Sequence, residues 1–329
     1  MQIPIRQKFN FMELTNIVIK TKNFFNLKLN KPFTLIFSLS ITSFIGTSAF
    51  FFIFSPTALQ RGLSIKSVDK IDKIKLFNKT YDNYSINGIS NQIKSIPYLS
   101  NSGMVYEINP KEKLKKTIVE GDGNCSNLSF GSSIYSLYNK KKSVPIKLFT
   151  NDEGFLKGGH TVQLVGLKKK NIIVDFLEGG VPLKCGQPFD LKGLFDLGEC
   201  ELGFKVISPI KDKENFYFTE KKLNNYIIGI HSQLEVDRYH KFIERIYFPL
   251  FNKKLEKIFF DSISIVSGFY PKTYVKSVQW KRLFEDKKYL IIISKIWLYS
   301  FWLTFSASIY LLFFRKRSIF KILVKKIYS

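Results

Sequence analysis

The chain has 329 residues and a formal net charge of +25, with 51 Lys and Arg against 26 Asp and Glu. Two long apolar stretches take up about 50 residues, by the length that a bilayer span needs, and the remainder suffices for one domain with its own core. No recognised nucleic-acid-binding motif accompanies the basic charge, and an excess of Lys, Asn, Ile and Phe is also typical of an AT-rich genome. We therefore expect no nucleic-acid partner and take membrane lipid with anionic headgroups as the partner of the basic ends.

The N-terminal residues 1–32 form a basic segment, in which Met1–Lys31 carries six Lys or Arg and one Glu. The apolar stretch Phe33–Phe54 follows, and its 22 residues can cross a hydrocarbon core of about 30 Å. A cleaved secretory signal is the alternative, but its apolar region would be about 7–15 residues long behind a short leader. Because this stretch is longer and follows a longer leader, we interpret residues 33–55 as a retained transmembrane helix.

Residues 56–110 form the polar N-terminal part of the domain, and residues 111–210 are predicted to form its core. Pro110–Val119 predicts a short helix that leads into the turn Gly121-Asp122-Gly123. Asp122 or Asn124 can cap a following helix, because both side chains accept from free helix N–H groups. Cys125–Tyr138 predicts an amphipathic helix, weakened by Gly131 and several serines, with Cys125 at its N-terminus.

A β-hairpin is predicted downstream of this helix. Pro145–Thr150 forms a strand, and after a glycine-rich loop His160–Leu167 and Ile172–Leu177 form two strands joined by a turn. His160 and Asp175 are expected to face each other across this hairpin, where opposed Cβ atoms lie about 5 Å apart.

The C-terminal third is expected to be mainly helical. Residues 211–288 are predicted to form a helical extension, in which His231 and His240 have a solvated or capping role. A second transmembrane helix is predicted over residues 289–314, and a basic tail over residues 315–329. Since both basic ends lie outside the apolar stretches, the positive-inside tendency places both termini in the cytoplasm. The domain between the two spans is then periplasmic or extracellular, attached to the cytoplasmic (inner) membrane.

Three cysteines leave one unpaired in an oxidising compartment. Cys185 and Cys200 can close a loop as a disulfide, worth roughly 3 kcal/mol in the chain-entropy model, which leaves Cys125 free. A small buried hydrophobic role is the alternative for Cys125. No paired Cys or His spacing predicts a metal site, and no phosphate-binding motif is present, so we expect neither metal nor cofactor.

Cys125, His160 and Asp175 supply a thiol, an imidazole and a carboxylate, the three groups of a thiol-based catalytic triad. Gly123-Asn124-Cys125, Gly159-His160-Thr161-Val162-Gln163-Leu164 and Ile173-Val174-Asp175 resemble the core of the transglutaminase-like superfamily. The resemblance implies an α+β fold, a papain-like core whose Cys-bearing helix packs on an antiparallel sheet. It also implies that Cys125 is the nucleophile, His160 the base and then the acid, and Asp175 the group that orients His160. Asp122-Gly123-Asn124-Cys125 also resembles the ovarian-tumour deubiquitinases, but no later His lies in the strand context of that family.

The expected function is that of a membrane-anchored thiol enzyme of transglutaminase-like type. It would act on an amide or peptide bond outside the cytoplasm, through a thioester intermediate, with a peptide or protein as substrate. The alternative is a non-catalytic scaffold of the same fold in a cell-envelope or polysaccharide-export assembly, with cell-envelope proteins as partners.

Overall fold

The chain is an α+β protein in a computed structural model that describes residues 31–54, 62–71, 74–97, 103–150, 159–196, 199–208, 217–219, 223 and 226–327. It forms two compact units. One combines the two ends of the chain, Met1–Phe54 and Ile293–Ser329, and the other is Ser55–Ile292. The basic N-terminal segment predicted over residues 1–32 lies, up to residue 30, outside the described residues.

Helices and strands alternate irregularly along the chain. The described helices are α1 (Lys31–Phe54), α2 (Ile86–Ser95), α3 (Pro110–Leu114), α4 (Cys125–Tyr138), α5 (Leu191–Phe195), α6 (Gln233–Ile246), α7 (Lys253–Val266) and α8 (Ser277–Ile327). The described strands are β1 (Ile65–Val68), β2 (Ser143–Phe149), β3 (His160–Gly166), β4 (Asn171–Val174), β5 (Gly180–Lys184), β6 (Gln187–Pro188), β7 (Leu202–Val206), β8 (Ile227–Ile230) and β9 (Thr273–Lys276). Helix α3 continues into one π-helical turn, Lys115–Val119.

The main sheet has six strands in the order β1-β9-β8-β2-β3-β4, and a smaller sheet has the order β6-β5-β7. Neighbouring strands of the main sheet pair antiparallel, except for β1 and β9, which pair parallel. The prediction of an antiparallel sheet is therefore wrong at this edge, and the sheet is mixed. Parallel neighbours need a long connection, and here nearly the whole domain separates the two strands.

Two strands of the main sheet come from residues 211–288, which were expected to be mainly helical. Strand β8 lies between β9 and β2, and all four of its residues are buried. A short, continuous apolar run of this kind cannot be told from a buried helix by periodicity. The core is consequently larger than residues 111–210, since β1, β8 and β9 all belong to its sheet.

Apolar side chains fill both faces of this sheet. Val144, Ile146 and Leu148 of β2 belong to one cluster, whereas Val165 and Val174 join α4 in the other. Burying an aliphatic side chain of this size contributes about 1.5–3 kcal/mol. The two layers therefore hold β3 and β4 rigidly in place.

Helix α4 is more deeply buried than an amphipathic helix. Its serines face inward: Ser129 Oγ donates to Thr161 O at 3.0 Å, and the Ser133 hydroxyl hydrogen-bonds the buried Gln163 amide, which also hydrogen-bonds Ser143 of β2. A Cβ on Gly131 would lie 2.0 Å from Thr117 Oγ1, so only glycine permits the close approach of the π-helical turn. The serines that weaken the helical pattern thus let α4 pack against β3, and the glycine lets it pack against the π-helical turn.

The unit formed by the chain ends contains two antiparallel helices that are joined by polar contacts. Trp297 Nε1 donates to Ser48 Oγ at 2.8 Å, Ser300 Oγ to Ser43 Oγ at 3.0 Å and Thr304 Oγ1 to Ser40 Oγ at 3.2 Å. Among the described residues, the stretch Ile291–Tyr310 of α8 is the one helix long and apolar enough to cross a membrane. Within α1, residues Leu35–Ser48 form a shorter apolar stretch.

Candidate active site

Cys125 is the first residue of α4, and the preceding turn fixes it there. Gly121 and Gly123 have φ values of +70° and +115°, in the left-handed region that favours glycine. Asn124 caps the helix, because its side chain accepts from Asn127 N at 3.1 Å. The Cys125 thiol is partly exposed and forms no disulfide.

Gly159 lies directly before β3 and positions His160 as the first residue of that strand. Its φ is +86°, and a Cβ there would lie 1.8 Å from Leu148 O on the neighbouring strand. Only glycine can approach β2 so closely, which explains why the histidine follows a glycine directly. His160 pairs with Leu148 in the register and is 2% exposed.

Asp175 lies just beyond β4 and meets His160 diagonally rather than directly across the ladder. Gln163 pairs with Val174, and Asp175 forms an isolated bridge with Gly180. The strand predicted over Ile172–Leu177 therefore ends earlier, at Val174. Its end is fixed by Asp175 itself, because Asp175 Oδ1 accepts from Leu177 N at 3.0 Å and Glu178 N at 3.1 Å.

The His160 and Asp175 side chains form a fully buried hydrogen-bonded pair. Nε2 of His160 lies 2.5 Å from Oδ2 of Asp175, and neither side chain is exposed to solvent. Because Nε2 is engaged with the carboxylate, Nδ1 is the nitrogen left to act on a thiol.

Tyr217 covers one face of the His160 imidazole. The two rings are parallel, with centroids 3.9 Å apart and an interplanar angle of 5°. Phe218 meets the imidazole edge-on at 6.5 Å. Sequence reasoning missed both residues, because no periodic pattern or motif around them linked this segment to the histidine.

The pKa values of Cys125 and His160 move in opposite directions. Burial favours the neutral imidazole, but the Asp175 carboxylate and then Cys125 outweigh it and raise the pKa of His160. Burial also favours the neutral thiol, but hydrogen bonding to and charge on His160, with help from the Thr161 backbone, lower the pKa of Cys125 despite the opposing Asp175 charge. The N-terminus of α4 adds a further favourable field for a thiolate.

These shifts favour a thiolate–imidazolium pair between Cys125 and His160. The contact between the two groups is close enough to move both pKa values, yet His160 Nδ1 has no hydrogen-bond partner of regular geometry. The two side chains therefore lie next to each other without a hydrogen bond between the thiol and Nδ1. Catalytic hydrogen bonds are often loose until substrate binds.

His231 and His240 are buried, so the expectation of a solvated or capping role is wrong. Their exposed fractions are 1% and 2%, and both rings pack edge-on against Phe130. Burial and, to a smaller extent, nearby Lys side chains lower the pKa of each to about 3. His240 lies on the inward face of α6 with Val236 and Ile243, so the packing of this helix buries the histidine.

Cys185 and Cys200 are joined by a disulfide, with Cα atoms 5.3 Å apart. The bond links the turn after β5 to the segment that precedes β7, within the smaller sheet. Cys125 is thereby the free thiol of the chain. In the part of the chain that the structure describes, no group of three or more His, Cys, Asp and Glu side chains could hold a metal ion.

No protein-family profile, curated protein or solved structure matches this chain. The residues of the site and their geometry are therefore the basis for any functional proposal.

Proposed function

We propose that this chain is a membrane-anchored thiol enzyme of transglutaminase-like type, with a papain-like core, that acts on an amide or peptide bond. The observation that carries the proposal is the buried His160–Asp175 pair, at 2.5 Å, beside the free thiol of Cys125 at a helix N-terminus. A structural histidine pair would not need a free cysteine beside it, and a structural cysteine would not have a lowered pKa.

The proposed reaction has two steps. The Cys125 thiolate attacks the carbonyl carbon of the amide, and the C–N bond breaks as His160 gives its proton to the leaving amine, which leaves a thioester on Cys125. Water or a second amine then attacks the thioester, and His160 takes the proton of that nucleophile. The Cys125 sulfur leaves as the thiolate, so the site returns to its starting state.

The role of Asp175 follows from its hydrogen bonds. Its two oxygens accept from three donors, the His160 ring and the backbone N–H groups of Leu177 and Glu178. The carboxylate is thus fixed in position and holds the imidazole with Nδ1 directed away from it. The backbone N–H of Cys125 is our candidate donor for the oxyanion of the tetrahedral intermediate, because the first N–H groups of a helix lack intrahelical partners.

The proposed topology has two membrane passes with both termini in the cytoplasm. Its support is the antiparallel pairing of α1 with α8. Three polar contacts spaced along both helices align the apolar stretch Leu35–Ser48 with Ile291–Tyr310. Interhelical hydrogen bonds of this kind stabilise helix pairs in a bilayer by about 1 kcal/mol each. The Cys185–Cys200 disulfide fits a domain outside the cytoplasm, where disulfides persist.

Alkylation kinetics of the full chain test the proposal and separate it from a non-catalytic scaffold. Iodoacetamide reports on Cys125 alone, because the other two cysteines are paired. We expect a rate that persists below the ordinary thiol pKa of about 8.5 and that falls in His160→Ala, with His240→Ala as the control. A profile with its midpoint near 8.5 in the native chain, unchanged by His160→Ala, would contradict an activated thiol.

A further inference from the structure

Helix α7 and the turn before it carry an exposed apolar face that no described element covers. We define it as the aromatic patch: Phe248, Phe251, Leu255 and Phe259. Phe251 is 97% exposed and the other three are 42–48% exposed. Leu255 and Phe259 are four residues apart and therefore share one side of the helix, whereas Phe248 and Phe251 lie in the turn before the helix cap Asn252. The Phe248 and Phe259 rings meet edge-on at 5.9 Å.

The charges of α7 are sorted between its two faces. Its acidic residues Glu256 and Asp261 point inward and are fully buried. Asp261 accepts from Tyr239 Oη and from Lys257, and Glu256 accepts from Leu250 N and Lys253. Lys254 is exposed beside the patch. The outer face of α7 therefore presents aromatic and aliphatic side chains with a basic border and no exposed acid of its own.

This composition is that of a helix which lies in a membrane interface. Such helices combine Phe, Leu or Trp on one face with Lys or Arg nearby, and bind bilayers that contain anionic lipid. The chain itself supplies the tether, because α7 ends at Val266, 25 residues before the apolar stretch that begins at Ile291 (291 minus 266). Strand β9 (Thr273–Lys276) and the start of α8 at Ser277 occupy most of this connection, so it is structured and not a flexible linker. Its short length keeps the patch near the membrane, so weak affinity suffices.

We propose that the aromatic patch docks on the surface of the bilayer that anchors the chain, with Phe251 inserted among the lipids and Lys254 on anionic headgroups. The proposal rests on the membrane attachment proposed above and is independent of the thiol chemistry. Docking holds the domain that carries Cys125 against the membrane. Taken together with the proposed thiol chemistry, this makes the substrate class an amide-bearing molecule presented at the bilayer surface.

The test uses the full chain in nanodiscs of phosphatidylglycerol and phosphatidylcholine. A nitroxide is attached at Phe251→Cys in a Cys125→Ala background, and its collision rates with oxygen and with a water-soluble nickel chelate are compared. Ile86→Cys is the control, since Ile86 is 70% exposed and lies on α2, away from α7 in sequence. Quenching of Trp297 and Trp302 by brominated lipid establishes separately that α8 is inserted.

We expect the ratio of oxygen to nickel collisions at position 251 to exceed that at position 86 severalfold, because oxygen concentrates in lipid whereas the nickel chelate stays in water. Discs of phosphatidylcholine alone, or Lys254→Glu, should lower the ratio at position 251. Equal ratios at the two positions while the tryptophans are quenched would overturn the proposal and assign the patch to a protein partner. Unquenched tryptophans would overturn both this proposal and the membrane attachment, while leaving the thiol chemistry to its own test.

Discussion

Asp175 permits a sharp test of how the site is built, because its two carboxylate oxygens have different partners. Oδ2 bonds the His160 ring, whereas Oδ1 accepts from the backbone N–H groups of Leu177 and Glu178. Asp175→Asn keeps an oxygen for the two backbone donors and loses the charged bond to His160. Asp175→Ala loses all three bonds.

The expected magnitudes differ between the two variants. A hydrogen bond to a charged group contributes about 1.5–3 kcal/mol, so Asp175→Asn should destabilise the site by roughly 2 kcal/mol. Asp175→Ala leaves two buried donors and one partly buried donor unsatisfied at about 1–3 kcal/mol each, a total of roughly 5 kcal/mol. That loss approaches the whole stability of a typical domain, about 5–15 kcal/mol.

Native-state hydrogen exchange of the Leu177 and Glu178 amides measures this difference locally. We expect Asp175→Ala to lower their protection by two orders of magnitude or more, and Asp175→Asn to lower it much less, since about 1.4 kcal/mol corresponds to a factor of ten. Both variants should slow the alkylation of Cys125, because both remove the carboxylate charge that supports the imidazolium. Equal loss of protection in the two variants would refute the assignment of separate roles to Oδ1 and Oδ2.

Three further predictions concern a glycine, the His160 imidazole and the membrane topology. Gly159→Ala should destabilise the domain by about 3 kcal/mol or more, because backbone strain at positive φ adds to the clash with Leu148. Gly268→Ala is the control, since it has the same strain but open space around it, and should cost about 1 kcal/mol. Urea unfolding measures the free energy of unfolding of both variants. The second prediction concerns the free energy of unfolding of Cys125→Ala as a function of pH. The stabilisation due to the raised pKa of His160 is fully present below the ordinary histidine pKa of about 6.5 and should be lost as the pH rises through the raised value. Adding Asp175→Asn should abolish this pH dependence. Reporter fusions at Lys288 and Ser329 should lie on opposite sides of the membrane, and a shared side would contradict the two-pass topology.

The parts of the fold that local signals determine could be predicted from the sequence. A capping residue, a helical run and basic residues after it define Cys125–Tyr138, and the helix has these bounds in the structure. The α+β class is likewise confirmed. The triad roles of Cys125, His160 and Asp175 stay a prediction, although the structure brings the histidine and the aspartate together.

The parts that depend on long-range packing could not be predicted. Strand β8 is four residues of apolar sequence, and only its pairing with β2 and β9 distinguishes it from a helix. His240 is polar in isolation, and its burial follows from the packing of α6 against α4 around Phe130. Tyr217 stacks on His160 although 57 residues separate them in the chain (217 minus 160). No local sequence pattern predicts this contact.

The most direct test of the central claim is a chemical cross-link between Cys125 and His160. A short bifunctional alkylator such as 1,3-dibromoacetone reacts first with a thiolate and then with a nucleophile a few ångströms away. Peptide mass spectrometry of the treated full chain should show Cys125 joined to His160, and the cross-link should be absent from His160→Ala. A chain in which Cys125 is alkylated but never joined to His160 would contradict the proposed catalytic pair, since a base must reach the proton that it removes.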